Sequence, residues 1–173
     1  MNWYALYVET GKEDMLQKII RNKYSKKQHI ETLVPKRVIP EKKDGKFYFV
    51  KKKMFPGYIF IKVKMDYYFY YTLKGLPNFF KVLSTNHKSD YFTEIPDEEM
   101  SHILPLLSKE GELGISELDI TDSEYTVTSG PLKGHEQIIK KINKRKKRAK
   151  IELNFLGTSK TVDVGIKIIN IRT

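Results

Sequence analysis

The period of apolar and polar positions changes several times along these 173 residues, and each change marks an element. Trp3 to Val8, WYALYV, is dense in β-formers and predicts a first strand. Met15, Leu16, Ile19 and Ile20 then recur at i, i+1, i+4 and i+5, the apolar face of a helix over Lys12 to Tyr24. Thr10 stands as its cap, with Glu13 three residues on as in a capping box. Ile30 to Val38 reads as a strand. Pro40 to Lys53 reads as a basic hairpin or loop turning at Asp44-Gly45, a dipeptide that tight hairpins favour. Met54 to Val63, MFPGYIFIKV, opens on a Pro-Gly turn and continues as a strand. Met65 to Leu76 is crowded with tyrosines and predicts a helix on the sheet, although its aromatics also suit a strand. Asn78 to Ser84 is a further strand. Pro96 to Leu107 is a closing helix, with Asp97, Glu98 and Glu99 well placed in its first turn.

From about Ile120 the pattern becomes one of short strands: Tyr125–Thr128, Glu136–Ile142, Lys150–Leu156, Lys160–Val164 and a piece near Ile168–Ile171. The alternation is clearest where Ala149, Ile151, Leu153 and Phe155 interleave with Lys150, Glu152 and Asn154. The expected fold class is α+β: an antiparallel N-terminal sheet with flanking helices over residues 1–108, then a small five-stranded β-barrel over residues 121–173.

Charge changes this picture in two ways. The net charge is +11 and the pI about 9.6, a balance suited to nucleic acid, an anionic membrane or an acidic partner. The charge is also uneven. Residues 1–108 carry 19 basic and 12 acidic side chains, residues 109–124 carry one and six, and residues 125–173 carry twelve and three. An acidic stretch between two basic blocks reads as a linker over residues 109–120. The densest block places Lys140, Lys141, Lys144, Arg145, Lys146, Lys147, Arg148 and Lys150 in eleven positions, at the tip and solvent face of the expected hairpin. Charge runs are often only solvated faces. Bracketed by apolar strands, this one is a candidate polyanion site, with Lys133, His135 and Asn143 beside it. The tip has few aromatics, which favours structured over single-stranded nucleic acid. Lys42, Lys43, Lys46, Lys51, Lys52 and Lys53 form a second basic zone, read as a solvated loop ahead of a contact to DNA.

Catalytic chemistry has no support in the pattern. His29, His87, His102 and His135 show no metal-ligand spacing, and neither a G-x-S-x-G elbow nor a phosphate-cradling Gly-rich loop occurs. No cofactor or metal is expected. The absence of cysteine suits a reducing compartment, and no apolar run reaches the ~18 residues of a membrane span. The expectation is a monomeric cytoplasmic binding protein that is not an enzyme and has no membrane partner.

Four stretches stand in order: Trp3-Tyr4 with Gly11-x-Glu13, Phe55-Pro56-Gly57-Tyr58-x-Phe60, Gly75-x-x-x-Phe79 and Gly130-Pro131-Leu132-x-Gly134. Together they resemble the NusG family of transcription elongation factors, the first three its N-terminal (NGN) domain and the fourth its KOW barrel. The resemblance implies an N-terminal domain that docks on the clamp helices of the RNA polymerase β′ subunit. Carried over by position, that surface would be Tyr7, Phe55, Tyr58, Phe60, Phe79 and Val82, for each of which core packing is the competing reading. DNA of the transcription bubble is a further partner the resemblance admits. Family KOW motifs usually have an aromatic where His135 stands and a glycine where Gln137 stands. Leu156-Gly157-Thr158 stands where many members have the Phe-Gly-Arg that contacts ribosomal protein S10. With its dense basic block, the chain is most similar to specialised paralogues of the LoaP type, antiterminators dedicated to particular operons whose KOW domain recognises an RNA hairpin. The competing readings are a general elongation factor, whose KOW domain binds proteins, and a ribosome-associated RNA-binding protein. Gly130-Pro131 and the 149–156 alternation favour a permanent barrel over one that refolds as helix.

Overall fold

Burial is continuous along the first strand from Trp3 to Leu6 and returns at Val8, as in the middle of a sheet covered on both faces. The computed structural model describes residues 1–26, 28–85, 91–122 and 124–171, and divides into two units. The first comprises Met1–Val34, Phe55–Ser101 and Phe155–Gly157. Its sheet is built from β1 (Asn2–Val8), β2 (Glu31–Leu33), β5 (Tyr58–Val63) and β6 (Phe79–Val82), in the order β2-β5-β1-β6 with every pair antiparallel. The sheet order omits β3 (Lys36–Lys43) and β4 (Lys46–Lys53), which belong to the second unit.

Two helices complete the core of the first unit. Helix α1 (Glu13–Tyr24) buries Leu16, Ile20 and Tyr24, the face that the apolar period predicts. The expected capping box does not form. Lys12 occupies the cap position without a side-chain hydrogen bond, and Glu13 turns inward instead. Helix α2 (Tyr67–Lys74) buries Phe69, Tyr70 and Leu73 and leaves Tyr67, Tyr68 and Tyr71 outside, so the tyrosine-rich stretch is a helix. Asp66 caps it by accepting the Phe69 N–H at 2.7 Å, a contact worth about 1 kcal/mol. A short helix, α3 (Asp97–Ile103), follows, its first turn carrying the expected three carboxylates.

The second unit comprises Pro35–Met54, His102–Asn154 and Thr158–Thr173. Its five-stranded sheet runs β10-β11-β12-β8-β9, from β8 (Ser116–Ile120), β9 (Tyr125–Ser129), β10 (Ile139–Asn143), β11 (Arg148–Phe155) and β12 (Thr158–Ile171). The number of strands is as expected and two of their identities are not. The pieces read at 160–164 and 168–171 are one strand, β12, and Glu136–Ile138 is a short 3-10 turn before β10. The remaining strand, β8, lies inside the stretch read as an acidic linker. Ser116, Leu118 and Ile120 are buried there, alternating with Glu117 and Asp119, so the carboxylates occupy the polar face of a strand. Strand β8 pairs in parallel with β12 from Ile166 to Ile171 and antiparallel with β9.

The basic hairpin β3–β4 turns where expected, with Asp44 and Gly45 both at positive φ (51° and 77°). Its attachment differs from the expected 1–108 domain. Strand β3 pairs in parallel with β7 (Glu112–Leu113), buries Ile39, and sends Arg37 to donate to the carbonyl oxygen of Asp163 on β12. These are contacts over long sequence separation that no local pattern announces.

Candidate nucleic-acid interface

The basic hairpin β10–β11 is fixed by its buried side. Ala149, Ile151, Leu153 and Phe155 are each no more than 2% exposed, whereas Lys150 and Asn154 face water. Ile142 stands opposite Ala149 and Asn143 opposite Arg148, so residues 144–147 form the turn. Asn143 closes it by accepting the Lys146 N–H at 2.9 Å, and Lys147 adopts a left-handed φ of 53°. The Oδ1 of Asn143 is therefore engaged in the turn, and the residue lines the cleft between this hairpin and β3–β4.

The turn holds its cations outward. Lys140, Lys141, Lys144, Arg145, Lys146, Lys147 and Lys150 are all exposed, and among the described residues none forms an ion pair. Arg148 differs. It is half-buried, donates from Nη2 to the carbonyl oxygen of Pro40 at 2.9 Å, and lies 3.9 Å from the Glu41 carboxylate. Lys147 sits over the Phe47 ring, 4.2 Å from its centroid. Of the expected polyanion contacts, Arg148 thus ties two hairpins of its own unit together and Lys147 is partly engaged.

Lys133 is exposed and His135 half-buried, in the turn that precedes β10. That turn owes its glycine to a close approach. A side chain on Gly130, at φ +92°, would come within 2.6 Å of the carbonyl oxygen of Ile115 and of the Cα of Ser116. Leu132 is fully buried beside it, and its N–H donates to the buried Ser116 hydroxyl at 3.0 Å. The Gly-Pro-Leu-x-Gly stretch is therefore a packing device that sets β8 against the start of the hairpin.

The second basic zone is partly neutralised. Lys51 pairs with Glu112 at 2.7 Å and Lys52 with Glu41. The Lys52 hydrogen bond holds the Glu41 carboxyl below its ordinary value, with the charges of Lys52 and Arg148 acting in the same direction. Lys42, Lys43 and Lys46 have no carboxylate partner among the described residues.

On the first unit, the aromatic set splits by burial. Phe60 is 0% exposed, Val82 2% and Phe55 4%, so these three sit in the core. The two phenylalanine rings pack together: Phe55 meets Phe60 at 5.6 Å, and both meet Phe155 of the same unit. Tyr7 is exposed, and Tyr58 and Phe79 are half-buried. Tyr7 packs on Tyr58 at 5.5 Å and on Phe80 at 5.2 Å. Burial raises the Tyr58 phenol above its ordinary value, and Tyr7 beside it adds to the rise. Phe80, 55% exposed, is the member that sequence reasoning missed. Two adjacent phenylalanines on one strand point to opposite faces, and that signal was available in Phe79-Phe80.

Among the described residues no group of three or more His, Asp or Glu could hold a metal ion, and no helix is long and apolar enough to cross a membrane. His87 lies outside the described residues.

Comparison with known proteins places this architecture. The family model described as "Transcription termination factor nusG" matches residues 1–104. The "Transcription termination/antitermination protein NusG" of Rickettsia prowazekii is 27% identical over 168 residues, covering 94% of this chain and 85% of the relative. The protein of the same name from Helicobacter pylori is 22% identical over 169 residues, covering 95% and 94%. A solved structure, "Domain interaction in Thermotoga maritima NusG", superposes with a TM-score of 0.51 at 19% identity and covers 95% of this chain and 93% of its own. That likeness shows the fold. With its N-terminal α+β sheet, its five-stranded C-terminal β unit and a family match over residues 1–104, this chain belongs to the NusG family of transcription termination/antitermination factors.

Proposed function

We propose that this chain is a specialised antiterminator of the LoaP type, in which the N-terminal unit holds RNA polymerase and the basic β10–β11 hairpin grips structured nascent RNA. The observation that carries the reading is the outward row of cations at Lys140, Lys141, Lys144, Arg145 and Lys146, with no carboxylate partner among the described residues, on β10 and the turn of a hairpin whose strand β11 buries its other face. Like charges this dense destabilise a fold unless a polyanion meets them, and phosphate contacts of this kind give strong, salt-dependent affinity. Discrimination would come from the shape of an RNA hairpin, because A-form helices are read mainly through backbone and groove geometry. Polymerase docking on the β′ clamp helices is assigned to the aromatic group of exposed Tyr7 and Phe80, with half-buried Tyr58 packed on Tyr7. Retention by RNA would keep the factor on polymerase while it passes terminators.

Deleting the coding sequence and mapping transcript 3′ ends tests this reading. Loss of read-through in one or a few long operons is the expected result. Changes at most genes would make the chain a general elongation factor whose C-terminal unit binds proteins. Unchanged 3′ ends in the deletion, with the wild-type protein co-sedimenting with ribosomes, would assign it to the ribosome.

A further inference from the structure

The two basic hairpins of the second unit, distant in sequence, line one cleft of about 540 Å³. Lys42 and Phe47 of the β3–β4 hairpin form one wall; Arg145, Lys146 and Arg148 of the β10–β11 hairpin form the other. Arg148 is the strut between them, through its hydrogen bonds to the Pro40 carbonyl oxygen at 2.9 and 3.3 Å. The single carboxylate in the wall, Glu41, is already paired with Lys52 and lies beside Arg148. Lys42, Arg145 and Lys146 therefore face the cleft with no carboxylate partner among the described residues.

We propose that this cleft is a composite site for the phosphate backbone of structured RNA, built from both hairpins, with Lys42 supplying a contact that the C-terminal hairpin alone lacks. The inference rests on the RNA-binding reading above and extends it to a segment of chain outside the KOW-like stretch. Three unpaired cations on opposing walls repel one another, and a polyanion threaded between them removes that cost. Arg145 can fork two donors onto one phosphate, and the lysines act as point charges on its neighbours. The one aromatic in the wall, Phe47, is covered by Lys147, which keeps the contact on backbone rather than on stacked bases. Lys43 and Lys46, flanking the Asp44-Gly45 turn, extend the same positive edge.

The test is binding of the full chain to an RNA hairpin with a stem of about 16 base pairs, followed by anisotropy across a salt series. Lys42→Ala and Lys146→Ala are compared with Lys64→Ala, an exposed lysine of the first unit. Each cleft variant is expected to weaken binding roughly threefold or more and to reduce the salt slope by about one, with Lys64→Ala unchanged. Wild-type behaviour of Lys42→Ala alongside a weakened Lys146→Ala overturns the composite cleft and leaves the proposed function standing. Wild-type behaviour of both overturns the RNA reading as well. Tighter binding of a B-form DNA duplex of the same length overturns the assignment to RNA.

Discussion

The carboxylate of Glu13 accepts the backbone N–H of Gly57 at 2.7 Å, across 44 positions of sequence. Its second oxygen accepts the N–H of Gly11 at 2.9 Å, and the residue is 0% exposed. Two stretches that look like separate signatures, Gly11-x-Glu13 and Phe55-Pro56-Gly57, are thereby one construction. A buried charge is tolerated only when such donors meet it.

Removing that carboxylate leaves a buried donor unpaired. Glu13→Ala is expected to cost about 1–3 kcal/mol, and Glu13→Gln less because one acceptor remains. Urea midpoints read the difference; a wild-type midpoint for Glu13→Ala would show that the two hydrogen bonds carry no net stability.

Two arginines three positions apart should behave oppositely. Arg148→Ala removes the tie to Pro40 and is expected to lower stability by about 1 kcal/mol. Arg145→Ala, at an exposed residue with no carboxylate partner among the described residues, should leave the melting curve alone and reduce the salt slope of RNA binding by about one. A reversed pattern would mean that the strut and the contact have been exchanged.

The Glu41 carboxyl titrates below its ordinary value of 4.5, chiefly through the hydrogen bond from Lys52. A carboxyl depressed in the folded state adds stability above its unfolded value, and this contribution is lost as the pH falls through the folded-state value. Lys52→Gln should move the Glu41 midpoint upward in a carboxyl NMR titration and lessen the loss of stability in acid. An unmoved midpoint would assign the depression to Arg148.

Aromatic substitutions on the first unit should separate docking from folding. Tyr7→Ala with Phe80→Ala is expected to lower retention by immobilised RNA polymerase at least tenfold with a folded protein, given that interface anchors are commonly worth 2 kcal/mol or about that. Phe60→Ala, fully buried, should instead cost about 3–5 kcal/mol of stability. Polymerase retention unaffected by the double variant would place docking elsewhere.

Local chemistry was legible in the sequence, and long-range pairing was not. The period-two run at Ala149, Ile151, Leu153 and Phe155 and the Asp44-Gly45 turn appear in the fold as read, because each is decided by neighbours within a few residues. Strand β8 was hidden by its own carboxylates, whose charge outweighed a three-residue buried alternation at Ser116, Leu118 and Ile120. Gly165 lies between the two pieces read as separate strands and does not interrupt β12. It is a point of close packing instead, where a Cβ would come within 2.6 Å of the Val38 carbonyl oxygen. The basic residues of the candidate site were found by density alone. Density could not tell that Arg148 faces Pro40 or that Lys42 shares its cleft, since both follow from how β3 packs in the second unit.

The most direct measurement is crosslinking of this protein to RNA in its own cells, followed by sequencing of the bound fragments. The account predicts one or a few discrete hairpins in the leaders of long operons, lost when Lys144, Arg145 and Lys146 are replaced by alanine. Signal spread thinly over most transcripts, unchanged by that substitution, would contradict it.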